Sequence, residues 1–275
     1  MIGQKRFIEY LDNIIDNFPG FIVLAGGRGC GKRMLSKLIA VKLGAVYSEC
    51  GIKVDEIREM IDTAYKAQEK IVYCIADADN MRNEAKNALL KVTEEPPKNA
   101  YFILTVTDDS TLLATIKSRA RVFYMSPYSE EELIQYYRSK KYVSDIPENL
   151  IAEIAYCPYD VDMLVKYGKE FIDFVQLVLD NIDKVQPSNA FKSANRLALK
   201  SEDDSKYDLK LFFSTFMALC ILKLEPIDIS DDVEIKYSRG IIVTSPFADK
   251  CSKLGVNKGQ LYDEWVLEIR KAWLQ

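Results

Sequence analysis

The chain has 275 residues, 48% hydrophobic and 28% charged, an ordinary balance for folded protein. That balance excludes a disordered chain, a collagen-like repeat and a small disulfide-stapled scaffold, and the length suits about two domains rather than one. Lys plus Arg number 37 against 41 Asp plus Glu, and residues 1–127 carry 18 basic and 16 acidic side chains. No lobe therefore has the basic footprint of a stand-alone nucleic-acid binder, and any DNA contact has to be local or shared with partner chains.

Histidine is absent, which removes Ser-His-Asp and Cys-His catalysis. Cys30, Cys50, Cys74, Cys157, Cys220 and Cys251 are scattered with no CxxC pair, so buried reduced thiols are expected rather than a zinc site. The longest nearly apolar run, Leu211 to Leu222, is twelve residues against the ~20 needed to cross a bilayer. The first residues show neither a charged n-region nor an apolar h-region. A cytoplasmic protein with no membrane contact is expected.

Along residues 21–125, short apolar runs alternate with helical patterns, the signature of a parallel sheet covered by helices. Phe21 to Ala25 is the first strand, followed by a glycine-rich turn and an amphipathic helix from about Arg33 to Leu43. Val54, Ile57, Ile61 and Ala64 fall at helical spacing. Ile71–Ile75 and Tyr101–Thr105 read as fully buried strands, because they lack polar alternation. Glu84 to Val92 is predicted as one helix that Pro96 and Pro97 terminate, and Arg121 to Met125 as the last strand.

Beyond Pro127 the glycines thin out, eight of the twelve lying before residue 52. Ser129 with Glu130, Glu131 and Glu132 marks a helix start, a capping serine with acids at the positive end of the helix dipole. Helical patterns run to about residue 184. Gln186-Pro187-Ser188 reads as a linker or sharp turn, 189–275 as mostly helical, and Ser201 to Ser205 as a solvated acidic loop. The organisation expected is an α/β domain over 1–127, a small helical domain over 128–185 and a second helical domain over 186–275.

Four glycines sit in Gly26-Gly27-Arg28-Gly29-Cys30-Gly31-Lys32. This fits G-x-x-x-x-G-K between a strand and a helix, as the phosphate loop requires. Backbone N–H groups of Gly26, Gly29 and Gly31 would wrap an anion, and Lys32 would reach terminal phosphate oxygens. The next position should be Ser or Thr, whose hydroxyl holds magnesium. It is Arg33, which cannot ligate a cation but can neutralise a phosphate. The acidic motif after the third strand is altered as well. If that strand ends at Ile75, Ala76 takes the metal-orienting position and Asp77 the water-activating one, with Asp79 beyond; in an alternative register Asp77 is the metal ligand. Two defects together favour a chain that binds phosphate without cleaving it.

At Asn87-Ala-Leu-Leu-Lys-Val-Thr-Glu-Glu-Pro-Pro97 the sequence resembles the clamp-loader branch of the AAA+ proteins, which carries "NALLKxxEEPP" nearly verbatim. Ile2-Gly3-Gln4 resembles the branch's N-terminal box beside the adenine site. Asp55-Glu56-Ile57-Arg58 is similar to a family helix, and Thr111 to Arg119 to its "LLxTIxSRC" segment. The resemblance covers residues 1–127 and is weak thereafter.

It implies an AAA+ P-loop domain, a helical lid over 128–185 and a helical collar over 186–275 through which subunits associate. It further implies that Arg119 is an arginine finger reaching the nucleotide of a neighbouring subunit, Ala120 replacing the usual cysteine. Thr105 or Thr107 occupies the region of the polar sensor residue. The family's sensor arginine on the second domain is missing, since no arginine occurs between Arg138 and Arg196. The zinc module of bacterial relatives is absent too, so no zinc is expected. Together these imply a non-hydrolysing, delta-prime-like subunit holding ATP or ADP, helping to load a sliding clamp onto primed DNA during replication. Its partners would be the ATPase subunits, a delta-like subunit, the clamp and the DNA. The alternatives are a catalytically active clamp-loader ATPase subunit and an unrelated P-loop protein. Lys86, Lys91 and Lys117 are candidates for phosphate contact, although a solvated surface explains each equally well.

Overall fold

Five parallel strands, β1 (Phe21–Ala25), β2 (Val46–Cys50), β3 (Ile71–Ile75), β4 (Ala100–Val106) and β5 (Arg121–Tyr124), form one sheet in the order β2-β3-β4-β1-β5. The computed structural model describes residues 2–199, 206–226, 228–251 and 255–274. The Ser201–Ser205 acidic stretch, expected as a solvated loop, lies outside them.

A parallel sheet must be covered on both faces, and side chains alternate between faces along each strand. Phe21, Val23, Tyr73, Ile75, Phe102 and Leu104 point to one face. There they meet α3 (Val54–Lys66), α4 (Asn83–Ala88), α5 (Leu90–Glu94) and α6 (Ala114–Lys117) through Ile57, Ala85, Val92 and Ile116. Ile22, Leu24, Val72 and Ile103 point to the other face. They meet Leu11 of α1 (Lys5–Ile14) and Leu35 and Ile39 of α2 (Lys32–Leu43). Each such fully buried side chain contributes roughly 1.5–3 kcal/mol of transfer free energy.

Several elements differ from expectation; β4, expected over Tyr101–Thr105, runs one residue further at each end. β2 has no counterpart in the sequence reading. It is an edge strand pairing only with β3, and its residues are exposed or half-buried. The helix expected over Glu84–Val92 is two helices, α4 and α5, meeting at Leu89. The last strand ends at Tyr124, one residue early.

The chain divides into two compact units, Met1–Tyr128 and Ser129–Gln275. The second opens with α7 (Glu130–Ser139), whose predicted start is present as a capping box: the Glu132 N–H donates to Ser129 Oγ at 3.3 Å and the Ser129 N–H to Glu132 Oε2 at 3.3 Å. α8 (Glu148–Ile154), α9 (Pro158–Tyr167) and α10 (Lys169–Asn181) follow. At Gln186-Pro187-Ser188 the chain enters a helix. Pro187 opens a short helix, α11 (Pro187–Ala190), that runs on as a 3₁₀ turn to Arg196.

α12 (Leu209–Leu224) is the centre of the second unit, buried from Leu211 through Cys220. It packs against α13 (Asp231–Cys251) and α14 (Lys258–Leu274). A helix apolar on every side belongs in the middle of a helical layer. Phe212, Phe213 and Phe216 meet Trp265 of α14 with ring centroids 5.4, 5.3 and 5.0 Å apart. Among the described residues no helix is long and apolar enough to cross a membrane.

Candidate functional site

β1 ends at Ala25 and α2 begins at Lys32, so the glycine-rich loop lies at the carboxyl edge of the sheet, where parallel α/β sheets place their ligands. Gly29 and Gly31 have φ of +80° and +86°, a backbone region that favours glycine. Gly31 caps α2, and the first N–H groups of that helix face the loop. The Gly26 N–H donates to Val106 O at 3.0 Å, tying the loop to β4. Lys32 is buried, and its Nζ donates to the carbonyls of Gly26 at 2.6 Å and Gly27 at 2.8 Å. The lysine amine thus rests on the loop's own carbonyls.

Arg33, the residue in place of the hydroxyl, turns toward the end of β3. Its Nη2 lies 2.8 Å from Asp77 Oδ2, and both side chains are more than half exposed. Strand β3 ends at Ile75, the register that places Ala76 and Asp77 in the acidic positions. Asp77 has φ of +53°, and its N–H donates to the Thr105 hydroxyl at 3.1 Å. Asp79 is engaged elsewhere: its carboxylate accepts from the N–H groups of Thr107 (2.8 Å) and Asp108 (3.2 Å) and from the Thr111 hydroxyl (3.2 Å). The two candidate threonines differ accordingly. Thr105 is buried and its hydroxyl touches Asp77, whereas half-buried Thr107 gives a backbone N–H to Asp79.

These residues fit an anion and not a loop-held divalent cation. The first turn of α2 offers a guanidinium, Asp77 is paired to it, and Asp79 is held by three donors. Among the described residues no group of three His, Cys, Asp or Glu could hold a metal ion.

The N-terminal box connects to the same loop through Tyr128. Gln4 is buried at 4% exposure; its side-chain amide donates to Ser126 O at 2.7 Å and accepts from the Ser126 N–H at 2.8 Å. Two residues on, the Tyr128 hydroxyl donates to the carbonyl of Cys30 at 3.1 Å. Sequence reasoning missed Tyr128, because no motif connects positions 98 residues apart.

Arg119 stands apart from this cluster. It precedes β5, whose first residue pairs with Ile22 at the start of β1, so it lies at the amino edge of the sheet. The span of β1 separates it from the loop, on the order of 15 Å at strand rise. Its Nη2 pairs with Glu94 Oε1 at 2.8 Å and its Nη1 donates to Thr115 O at 3.0 Å. Such a residue cannot act on its own chain's loop.

The candidate phosphate-contacting lysines divide. Lys86 is no surface cation: it is buried, with Nζ 2.5 Å from Thr111 O. Lys117 pairs with Asp109 at 2.7 Å, which holds the Asp109 carboxyl below the usual range. Lys91 lies 4.9 Å over the Tyr65 ring.

Residues 12–129 match a family model described as "DNA polymerase III, delta subunit". Relatives include the DNA polymerase III subunit gamma of Buchnera aphidicola subsp. Schizaphis graminum, 31% identical over 50% of this chain and 47% of that protein. The subunit delta' of Haemophilus influenzae is 34% identical over 45% of this chain and 40% of its own length. That of Escherichia coli is 38% identical over 28% and 24%. The chain therefore spans about half, or less, of these relatives. Among solved structures, a gamma subunit-related protein of Thermotoga maritima superposes with TM-score 0.52 at 18% identity, covering 97% of this chain and 99% of that one. The RuvB branch migration motor of the same organism superposes with TM-score 0.52 at 19% identity over 82% and 76%. These likenesses show the fold: a parallel-sheet domain followed by helices.

Proposed function

We propose that this chain, which belongs through residues 12–129 to the DNA polymerase III clamp-loader family, works as a delta-prime-like subunit that does not hydrolyse ATP. The observation that carries the reading is the Arg33–Asp77 ion pair, which ties up the water-activating position while Arg33 and Ala76 stand where a hydrolytic loop would hold magnesium. Gly26, Gly29, Gly31, Lys32 and Arg33 hold ATP or ADP through its phosphates, without zinc. Thr105, in contact with Asp77, is the sensor-like threonine.

Arg119 is the finger, offered in trans to the nucleotide of a neighbouring subunit. Its place at the edge opposite its own loop supports that role, and a finger so supplied can be worth about 10³–10⁵ in rate. Residues 128–185 serve as the lid and 186–275 as the collar that meets other subunits. The partners are the ATPase subunits, a delta-like subunit, the sliding clamp and, through the complex, primed DNA in the cytoplasm.

A second reading, an active clamp-loader ATPase subunit, draws on the relatives named gamma. The DNA- and clamp-stimulated ATPase rate of the reconstituted complex separates the two. In the first reading Arg119→Ala removes most of the rate and Lys32→Ala changes little. In the second, Lys32→Ala is the damaging substitution.

A further inference from the structure

A phosphate loop usually recruits Mg²⁺ with two oxygens, a hydroxyl on the first helical turn and a carboxylate at the end of a neighbouring strand. This chain offers neither oxygen: Arg33 stands at the first position and Ala76 at the second, and the adjoining carboxylate, Asp77, is taken up by Arg33. Arg33 has five N–H donors and no acceptor, and it engages Asp77 at 2.8 Å across 44 residues of sequence. Asp79, the next acid along, is already satisfied by Thr107, Asp108 and Thr111. A cation that enters here displaces a guanidinium from its carboxylate and finds no hydroxyl at the start of α2.

The same contact leaves the loop well supplied with positive charge. Lys32 lies over the Gly26 and Gly27 carbonyls, and Arg33 spends one donor on Asp77, so others can reach a terminal phosphate. A planar guanidinium suits two phosphate oxygens as well as it suits a carboxylate. Both side chains of the pair are more than half exposed, so the guanidinium can bridge Asp77 and a phosphate without repacking the core.

We infer that the loop selects metal-free nucleoside di- or triphosphate, with the Arg33 guanidinium in the place of the divalent cation and Asp77 as its anchor. This rests on the reading that the loop holds a nucleotide. It goes beyond that reading by naming the ligand's metal state and the pair that sets it. Mg²⁺ is then a competitor, since it draws the free nucleotide into a complex that Arg33 disfavours.

The test is calorimetric titration of the full chain with ADP and with ATP, once in EDTA and once in excess Mg²⁺. Wild type is expected to bind as tightly or more tightly in EDTA. Arg33→Thr, which restores the hydroxyl and frees Asp77, is expected to reverse that order, with thermal melting as the check that the variant folds. Tightening of wild-type binding by about tenfold or more on adding Mg²⁺ (about 1.4 kcal/mol) overturns the inference. So does an Arg33→Thr variant that keeps the wild-type order, and so does the absence of binding in both buffers. The subunit role is read separately, by the response of the assembled ATPase to Arg119→Ala, and can stand if the loop proves unable to hold nucleotide.

Discussion

The Arg119 guanidinium rests 2.8 Å from the Glu94 carboxylate, and the two side chains are 39% and 54% exposed. Glu94 ends α5, just before Pro96 and Pro97, so the motif Asn87–Pro97 supplies the partner of the proposed finger. An ion pair this open contributes only about 0.2–1 kcal/mol. The arginine is held in reach of the surface at little cost to its release.

Glu94→Gln is accordingly expected to lower the stability of the chain by less than about 1 kcal/mol in urea unfolding. It should leave the ATPase rate of the assembled complex within a few-fold of wild type, while Arg119→Ala removes most of it. If Glu94→Gln proves as damaging as Arg119→Ala, the carboxylate positions the guanidinium during the reaction, and the pair acts as a unit.

Gly3 has φ of +77°, and a Cβ built there would come within 2.2 Å of the Tyr128 ring. Tyr128 in turn holds the Cys30 carbonyl, so the N-terminal box and the phosphate loop share one support. Gly3→Ala meets both a strained backbone and a clash, costs of about 1–3 kcal/mol each. The expected outcome is a lowered urea midpoint together with weakened ADP binding. Tyr128→Phe, which keeps the ring and loses only the hydroxyl, should retain most of the stability. A Gly3→Ala chain with unchanged midpoint would mean that the box does not pack on Tyr128 in solution.

Four of the five strands were legible because a parallel sheet buries both faces, and Phe21–Ala25 or Ile71–Ile75 then reads as an unbroken apolar run. β2 was not legible for the complementary reason. Val46–Cys50 lies at the sheet edge with no residue fully buried, so its polar Ser48 and Glu49 mask the strand. The phosphate loop declared itself through spacing, yet the partner of Arg33 lies 44 residues away and no local pattern reports it. Lys86 shows the same limit. On an amphipathic helix it reads as a solvated cation, but it is buried and its amine donates to the Thr111 carbonyl 25 residues on. Local chemistry fixes which groups a segment offers; the fold decides which of them remain available.

The aromatic cluster of the second unit encloses a buried polar contact. Trp265 is fully buried among Phe212, Phe213 and Phe216, and its indole N–H donates to the Thr244 hydroxyl at 3.0 Å. Trp265→Ala removes the largest buried side chain here and should cost about 3–5 kcal/mol. Thr244→Val keeps the volume but leaves the buried N–H without this acceptor, a cost of about 1–3 kcal/mol. In a Trp265→Phe background there is no N–H to strand, so the same Thr244→Val change should cost much less. Urea unfolding of the four chains in this cycle measures the coupling directly. A cost for Thr244→Val that is equal in both backgrounds would show that the hydroxyl stabilises α13 by some route other than the indole.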